Sequence, residues 1–154
     1  MNPETKVQTF LWFQHGLEDA LDFYATTFGD VRINELNRMP DGSLFTADFH
    51  IFDRAFIGMC MKIDDGPQFN DAVSIMIQCE DQAEIDRYWD AITADGEAIA
   101  CGWCRDKWGV TWQIVPRNLR DFLGHPDAAK REAINARFRT MKKIVIAELA
   151  ALAG

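Results

Sequence analysis

Two stretches of this chain show the same order of local signals, a strand followed by an amphipathic helix and then by several strands. The first helix is indicated by apolar residues at helical spacing, which are Leu17, Ala20, Leu21, Tyr24 and Phe28. The second helix is indicated in the same way by Ile85, Tyr88, Trp89 and Ile92. Gly29 and Gly96 follow the two helices as stop signals, and Asp81 with Glu84 predicts a capped start for the second. Each helix must therefore pack one face on a sheet or on another helix.

Runs rich in branched and aromatic residues predict the strands around these helices. The runs are residues 7–13, 31–36, 44–52, 55–61, 73–79, 98–103 and 110–115. Residues 9–24 also match residues 74–89 at an offset of about 65 positions. From residue identity alone, a chance resemblance and a duplication explain this match equally well. The shared order of elements favours a duplicated module.

The predicted architecture is a single α+β domain over residues 1–154. Its parts are module one at about residues 6–62, module two at about 72–116 and a helical tail at about 117–153. Pro126-Asp127 predicts the start of a tail helix. The apolar stripe of that helix is Ile134, Phe138, Met141, Val145, Leu149 and Leu152. We expect this stripe either to pack back on the domain or to dock on a partner subunit.

Composition excludes several classes of partner. The net charge of −8 argues against nucleic acid, which requires a concentrated Lys/Arg surface, and against anionic membranes. No run approaches the ~18 apolar residues of a membrane span. Residues 1–6 lack a basic region followed by an apolar stretch, so we expect no signal peptide and a cytoplasmic location. The four cysteines are then expected to be reduced thiols.

Four runs of residues resemble the PhnB-like family, also labelled the demethylubiquinone methyltransferase-type domain, of the vicinal oxygen chelate superfamily. They are residues 10–13 (FLWF), 20–24 (ALDFY), 102–116 (GWCRDKWGVTWQIVP) and 141–144 (MKKI). The resemblance implies the glyoxalase and bleomycin-resistance fold, in which tandem βαβββ modules form a cupped mixed sheet. It also implies a homodimer, and it covers relatives that are enzymes as well as relatives that bind antibiotics.

The resemblance also implies positions for a metal site. Metal-dependent relatives take four ligands, usually His, Gln or Glu, from strands one, four, five and eight. In this chain those positions correspond to Thr9, Ser74 and Gln113, with Gly58 as the loosest match. Because such residues are poor ligands for zinc, nickel or iron, we expect no bound metal. We also expect no organic cofactor and no methyltransferase activity, because no Gly-x-Gly turn occurs.

The sequence therefore predicts a small-molecule cavity. Its predicted lining is Thr9, Trp12, Ser74, Trp103, Trp112 and Gln113. An enzyme remains the alternative, namely a lyase, isomerase or dioxygenase with unrecognised metal ligands such as His50, Cys60 or a residue of a dimer mate. His15, His50 and His125 are otherwise predicted to be surface or turn residues, with His15 as a group at the cavity mouth.

The pair Cys101 and Cys104 offers a third possibility, a dithiol redox protein. That chemistry favours a thiolate at a helix N-terminus, and the residues after Cys104 predict a turn into a strand instead. Titration of the two thiols separates this possibility from the others.

Overall fold

Each half of the chain forms a four-stranded mixed sheet with one helix packed on one of its faces. The structure is a computed structural model that describes residues 6–154. The sequence predicts no signal peptide at residues 1–6. Residues 1–5 of that segment lie outside the described residues. The chain divides into a first unit that ends at Gln68 and a second unit, Phe69–Gly154.

The first unit contains sheet A. Its elements are β1 (Thr9–Phe13), α1 (Leu17–Phe28), β2 (Val31–Arg38), β3 (Leu44–Ile51) and β4 (Arg54–Cys60). The strand order is β1-β4-β3-β2, with β1 parallel to β4 and the other neighbours antiparallel. The apolar residues predicted for the buried face of α1 are all buried. A side chain at Gly58 would place its Cβ 2.6 Å from Leu17, so this glycine allows α1 to approach β4.

The second unit repeats this arrangement in sheet B. Its elements are β5 (Ile75–Cys79), α2 (Gln82–Asp95), β6 (Glu97–Ala98), β7 (Trp103–Arg105) and β8 (Thr111–Pro116). The strand order is β5-β8-β7-β6, and β5 is parallel to β8. Because the two sheets have the same order and the same sense of pairing, the predicted α+β duplication is confirmed.

The start of α2 is capped as the sequence predicts. The carboxylate of Asp81 accepts a hydrogen bond of 2.9 Å from the backbone N–H of Glu84, and the Glu84 carboxylate accepts one of 2.7 Å from the N–H of Glu80. Gly96 ends the helix for a different reason from Gly29. Gly29 has a φ of 78°, whereas a Cβ at Gly96 would lie 2.0 Å from the carbonyl oxygen of Arg105.

The predicted strand at residues 98–103 is wrong. A turn at residues 99–102 separates β6 from β7, and Cys101 and Gly102 have φ values of 54° and 82°. The backbone N–H groups of these two residues donate hydrogen bonds of 2.8 Å to the carbonyls of Met141 and Lys142. The turn is therefore held by a segment about forty positions away, which local propensity does not reveal.

The predicted single tail helix is also interrupted. The tail forms α3 (Leu119–Leu123), α4 (Ala128–Thr140) and α5 (Ile146–Ala153), and Met141 has extended backbone. The stripe residues Ile134, Met141 and Leu149 are buried within the second unit, Phe138 and Val145 pack against them, and Leu152 is exposed. The buried cluster also comprises Val115, Phe122 and Ile144. No helix among residues 6–154 is both long enough and apolar enough to cross a bilayer.

Candidate functional site

The two faces of sheet B differ in their surroundings. One face packs on α2, and its side chains include Ile77, Cys79, Cys104 and Ile114, all buried. The other, which we call the distal face of sheet B, is defined by Ser74, Met76, Trp103, Arg105 and Gln113. Strand pairing places Gln113 beside both Met76 and Trp103. Met76 is 48% exposed, and Trp103 is half-buried.

The central polar contact of the distal face joins Gln113 to Ser74. The side-chain amide nitrogen of Gln113 donates a hydrogen bond of 2.8 Å to the hydroxyl oxygen of Ser74. This contact uses one donor of Gln113 and one acceptor position of Ser74. The Ser74 hydroxyl hydrogen and the Gln113 carbonyl oxygen have no partner among residues 6–154, so the pair offers one further donor and one further acceptor.

An ionic cluster borders this pair. The Arg105 guanidinium binds Asp71 through two nitrogens, one of them at 2.8 Å, and also pairs with Glu97. The Thr111 hydroxyl donates a hydrogen bond of 2.8 Å to Asp71. The bonds from Arg105 and Thr111 lower the pKa of the Asp71 carboxyl, and the bond to Asp71 raises the pKa of Arg105. Asp71 and Arg105 are therefore a fixed ion pair at neutral pH.

The predicted site residue Trp112 lies on the other side of the sheet. Its side chain is 0% exposed, and its indole Nε1 donates a hydrogen bond of 2.9 Å to the carboxylate of Asp106. Trp112 pairs with Ile75 and Cys104 on the face covered by α2. Because adjacent residues of a strand point to opposite faces, Trp112 and Gln113 cannot line one surface. The assignment of Trp112 to the cavity is therefore corrected.

Thr9 and Trp12 do not share a surface either. They are three positions apart in β1, so Thr9 lies on the face of sheet A that carries the buried residues Leu11 and Phe13. Trp12 lies on the opposite face, half-buried, and its Nε1 donates a hydrogen bond of 2.8 Å to the carbonyl of Met61. Of the six predicted lining residues, only Ser74, Trp103 and Gln113 belong to one face of one sheet.

The positions that correspond to metal ligands do not fit a metal. Thr9 offers a weakly coordinating hydroxyl on the helix side of sheet A, and Gly58 has no side chain. The hydroxyl of Ser74 is already engaged by Gln113. Within residues 6–154, no group of three or more His, Cys, Asp or Glu side chains is placed to hold a metal ion.

The cysteine pair lacks the environment of a redox centre. Cys104 is fully buried, and this burial raises the pKa of its thiol to about 12. The Cys101 thiol donates a long hydrogen bond of 3.6 Å to the carbonyl of Phe138. Cys104 lies within β7, and a turn into the strand β8 follows it, as expected, instead of a helix whose N-terminus would stabilise a thiolate.

The histidines occupy three kinds of environment. His15 is exposed, and His125 lies in the turn before α4, as predicted. The prediction is wrong for His50, which is 6% exposed in the middle of sheet A. The burial of His50 depends on its packing within the folded sheet, and the continuous run at residues 44–52 gave no signal of it.

His15 lines an open pocket of about 670 Å³ in the first unit. The lining residues are Gln14, His15, Lys62, Ile63, Asp65, Gly66 and Gln68. Gln14 holds the wall of this pocket, since its amide nitrogen donates to the carbonyl of Pro67 at 3.1 Å and its amide oxygen accepts from the N–H of Ile63 at 3.2 Å. This pocket contains none of the six residues predicted to line the cavity, so the position of His15 at the mouth of that cavity stays a prediction.

Paired βαβββ modules with these sheet orders define the glyoxalase and bleomycin-resistance fold. The sequence model of a family described as 3-demethylubiquinone-9 3-methyltransferase matches residues 5–115. The chain therefore belongs to this PhnB-like family, within the vicinal oxygen chelate superfamily. No curated protein sequence matches the chain.

Solved structures agree with this assignment. A PhnB protein from Bacillus cereus, described as a putative 3-demethylubiquinone-9 3-methyltransferase, is 26% identical with a TM-score of 0.68. The match covers 73% of this chain and 99% of that one. A protein from Pseudomonas aeruginosa is 16% identical with a TM-score of 0.56, covering 71% of this chain and 95% of that one.

The fosfomycin resistance protein FosX from Mesorhizobium loti is 16% identical with a TM-score of 0.51, covering 84% and 98% of the two chains. At this level of identity the FosX match supports the fold and carries nothing about the reaction.

Proposed function

We infer that this protein binds a small molecule on the distal face of sheet B and does so without a catalytic metal. The observation that carries this proposal is the Ser74–Gln113 pair, which retains one donor and one acceptor between Met76 and Trp103. Small-molecule sites combine apolar and aromatic surface with a few placed polar groups, and this face has both.

The pair favours a flat, uncharged ligand with an amide-like edge. Such an edge presents an acceptor to the Ser74 hydroxyl and a donor to the Gln113 carbonyl oxygen. Trp103 contributes a ring for stacking, and Met76 contributes an adaptable apolar contact. The neighbouring Arg105 is neutralised by Asp71 and Glu97, so it adds little attraction for an anion.

Methyl transfer is not part of this proposal, although the family description names it. The chain has no Gly-x-Gly turn of the kind that lets backbone approach S-adenosylmethionine. A lyase, isomerase or dioxygenase of the same superfamily would require metal ligands, and the candidate positions do not supply them.

Nicotinamide is a suitable first probe, because it is flat and uncharged and carries both edge groups. We expect saturation-transfer NMR to detect its binding to the wild-type chain. Gln113→Ala and Met76→Ala should weaken the signal, and Leu152→Ala serves as a matched control because Leu152 is an exposed apolar residue of the tail. Equal signals from Met76→Ala and wild type, or no binding by the wild type, would contradict the assignment of this face.

The metal-free part of the proposal has its own test. We expect the purified chain to contain no stoichiometric metal and to show no thermal shift with Mn, Fe, Co, Ni or Zn. A ligand that binds the native state raises the melting temperature by mass action. A stoichiometric metal with a clear shift would favour the metal-dependent enzyme instead.

We also propose that the protein is a homodimer in the cytoplasm. Support for the dimer comes from the family resemblance and from edge strand β2, where Ile33 and Leu36 are more than two-fifths exposed. Such apolar residues on an open strand are suited to contact with a second copy. Analytical ultracentrifugation should give twice the mass of the chain, and a monomer at micromolar concentration would contradict this part.

A further inference from the structure

A buried polar cluster in sheet A is independent of the face proposed above. Asp48 and His50 lie two positions apart in β3, so they share one face, and they are 5% and 6% exposed. Asn34 projects from the neighbouring strand β2 and contacts both. Its side-chain nitrogen lies 2.7 Å from Oδ1 of Asp48 and 2.9 Å from Nδ1 of His50.

The carboxylate of Asp48 determines the orientation of the Asn34 amide. An ionised carboxylate only accepts hydrogen bonds, so the NH₂ group of Asn34 has to face it and the amide oxygen has to face away. A second donor agrees with an ionised Asp48, because the side-chain nitrogen of Gln8 lies 3.4 Å from its Oδ2. One hydrogen of Asn34 is thus committed to Asp48, and the other is directed at His50.

The orientation of Asn34 in turn determines the tautomer of His50. A donor directed at Nδ1 requires a lone pair there, so the proton of the neutral imidazole lies on Nε2. Nε2 has no hydrogen bond to any of residues 6–154. Within residues 6–154, every side-chain nitrogen or oxygen that is fully buried has a hydrogen-bond partner. Because Nε2 of His50 has no partner among these residues, this atom is not fully buried and can be reached from solvent.

We propose that His50 is a neutral hydrogen-bond donor that binds an uncharged acceptor oxygen of a ligand, such as a ketone or amide carbonyl, through Nε2–H. Asn34 and Asp48 are positioning residues that act through the tautomer. The carboxylate of Asp48 on the same face disfavours an anionic ligand. A metal ion or a substrate proton would need a lone pair on Nε2, and the Asn34 donor disfavours the tautomer that has one.

The tautomer is measured directly by ¹⁵N NMR of the histidine rings in the full-length chain. We expect Nε2 of His50 to be protonated and Nδ1 to be unprotonated. Asp48→Asn removes the charge that orients Asn34, so the Asn34 amide can turn its oxygen toward Nδ1 and the tautomer population should shift. Asn34→Ala, at an exposed position, should relax the same preference and serves if Asp48→Asn does not fold. The signals of His15 and His125 should stay unchanged in both variants.

Cyclohexanone tests the ligand, because it carries an uncharged acceptor and no donor. Its addition should move the Nε2 signal of His50, and His50→Phe should weaken its binding about tenfold, as expected for one lost hydrogen bond. A wild-type ring protonated on Nδ1, or a tautomer unaffected by both Asp48→Asn and Asn34→Ala, would overturn the positioning role. An Nε2 signal that does not respond to cyclohexanone would overturn the binding role, whatever nicotinamide does at Gln113.

Discussion

The indole of Trp112 donates a hydrogen bond of 2.9 Å to Asp106, and both side chains are buried in the second unit. The same carboxylate accepts hydrogen bonds of 3.0 Å from the backbone N–H groups of Trp108 and Val110. Trp112 thus supports the turn between β7 and β8 and has a structural role.

Trp112→Phe should therefore destabilise the fold without altering the distal face. The substitution removes a hydrogen bond to a buried carboxylate, which costs about 1–3 kcal/mol. Urea unfolding measures the loss. Trp103→Phe is the control, because Trp103 is half-buried on the opposite face and should change the free energy of unfolding much less. A Trp112→Phe protein as stable as wild type would contradict the structural role.

The ion pair of Asp71 with Arg105 should make stability depend on pH in the acid range. Hydrogen bonds from Arg105 and Thr111 hold the pKa of Asp71 below its ordinary value of 3.8. A carboxyl with a lowered folded-state pKa stabilises the fold above its unfolded pKa, and this contribution is lost as pH falls through the folded pKa.

Asp71→Asn should accordingly lower the melting temperature at pH 7, and its difference from wild type should disappear at the lowest pH. Melting curves between pH 7 and pH 2 test this. Glu80→Gln breaks the exposed pair with Arg117 and is the matched control, with a smaller expected effect. A constant difference across the whole pH range would show that Asp71 acts through something other than its charge.

Two of the four cysteines should resist alkylation in the folded chain. Burial raises the pKa of Cys79 and of Cys104 to about 12, so both are protonated thiols at pH 8. Iodoacetamide followed by mass spectrometry should label neither until denaturant is added, after which all four react. Rapid labelling of Cys104 in the native protein would contradict this prediction and would support the hypothesis of a dithiol redox protein.

Two glycines at helix ends should respond differently to alanine. Gly29→Ala forces a φ of 78° on a residue with a Cβ but meets open space, so a loss of about 1–2 kcal/mol is expected. Gly96→Ala places its Cβ against the carbonyl oxygen of Arg105, and because backbone must move, we expect about 3 kcal/mol. Thermal unfolding compares the two, and an equal loss would contradict the close approach at Gly96.

Local periodicity is sufficient to predict α1 and α2, because burial of one helix face leaves a direct record in the sequence, but it does not predict the division of the tail into α3, α4 and α5. It failed at residues 99–102, where Cys101 and Gly102 depend on hydrogen bonds to the distant tail. Trp112 and Gln113 are adjacent in β8, so strand alternation alone places them on opposite faces of the sheet. Trp103, Ser74 and Gln113 were brought together as expected on the distal face of sheet B.

The polar cluster of Asn34, Asp48 and His50 could not be predicted from local sequence patterns. Its partner Asn34 comes from another strand, at a point where the pairing of β2 with β3 shifts between Ile33 and Glu35. No local pattern shows which residue of an edge strand will occupy such an irregularity.

Because of this β-bulge, the number of residues in β2 determines which side chain contacts Asp48 and His50. One residue more on β2 than on β3 brings Asn34 within reach of both Asp48 and His50. A one-residue deletion there would restore regular pairing and leave no side chain between Ile33 and Glu35 to contact Asp48 and His50. The ring nitrogen of His50 that carries the proton would then change, although His50 itself is not substituted. In this chain, an insertion or deletion in the edge strand β2 is thus expected to change binding preference, as a substitution of a contacting residue would.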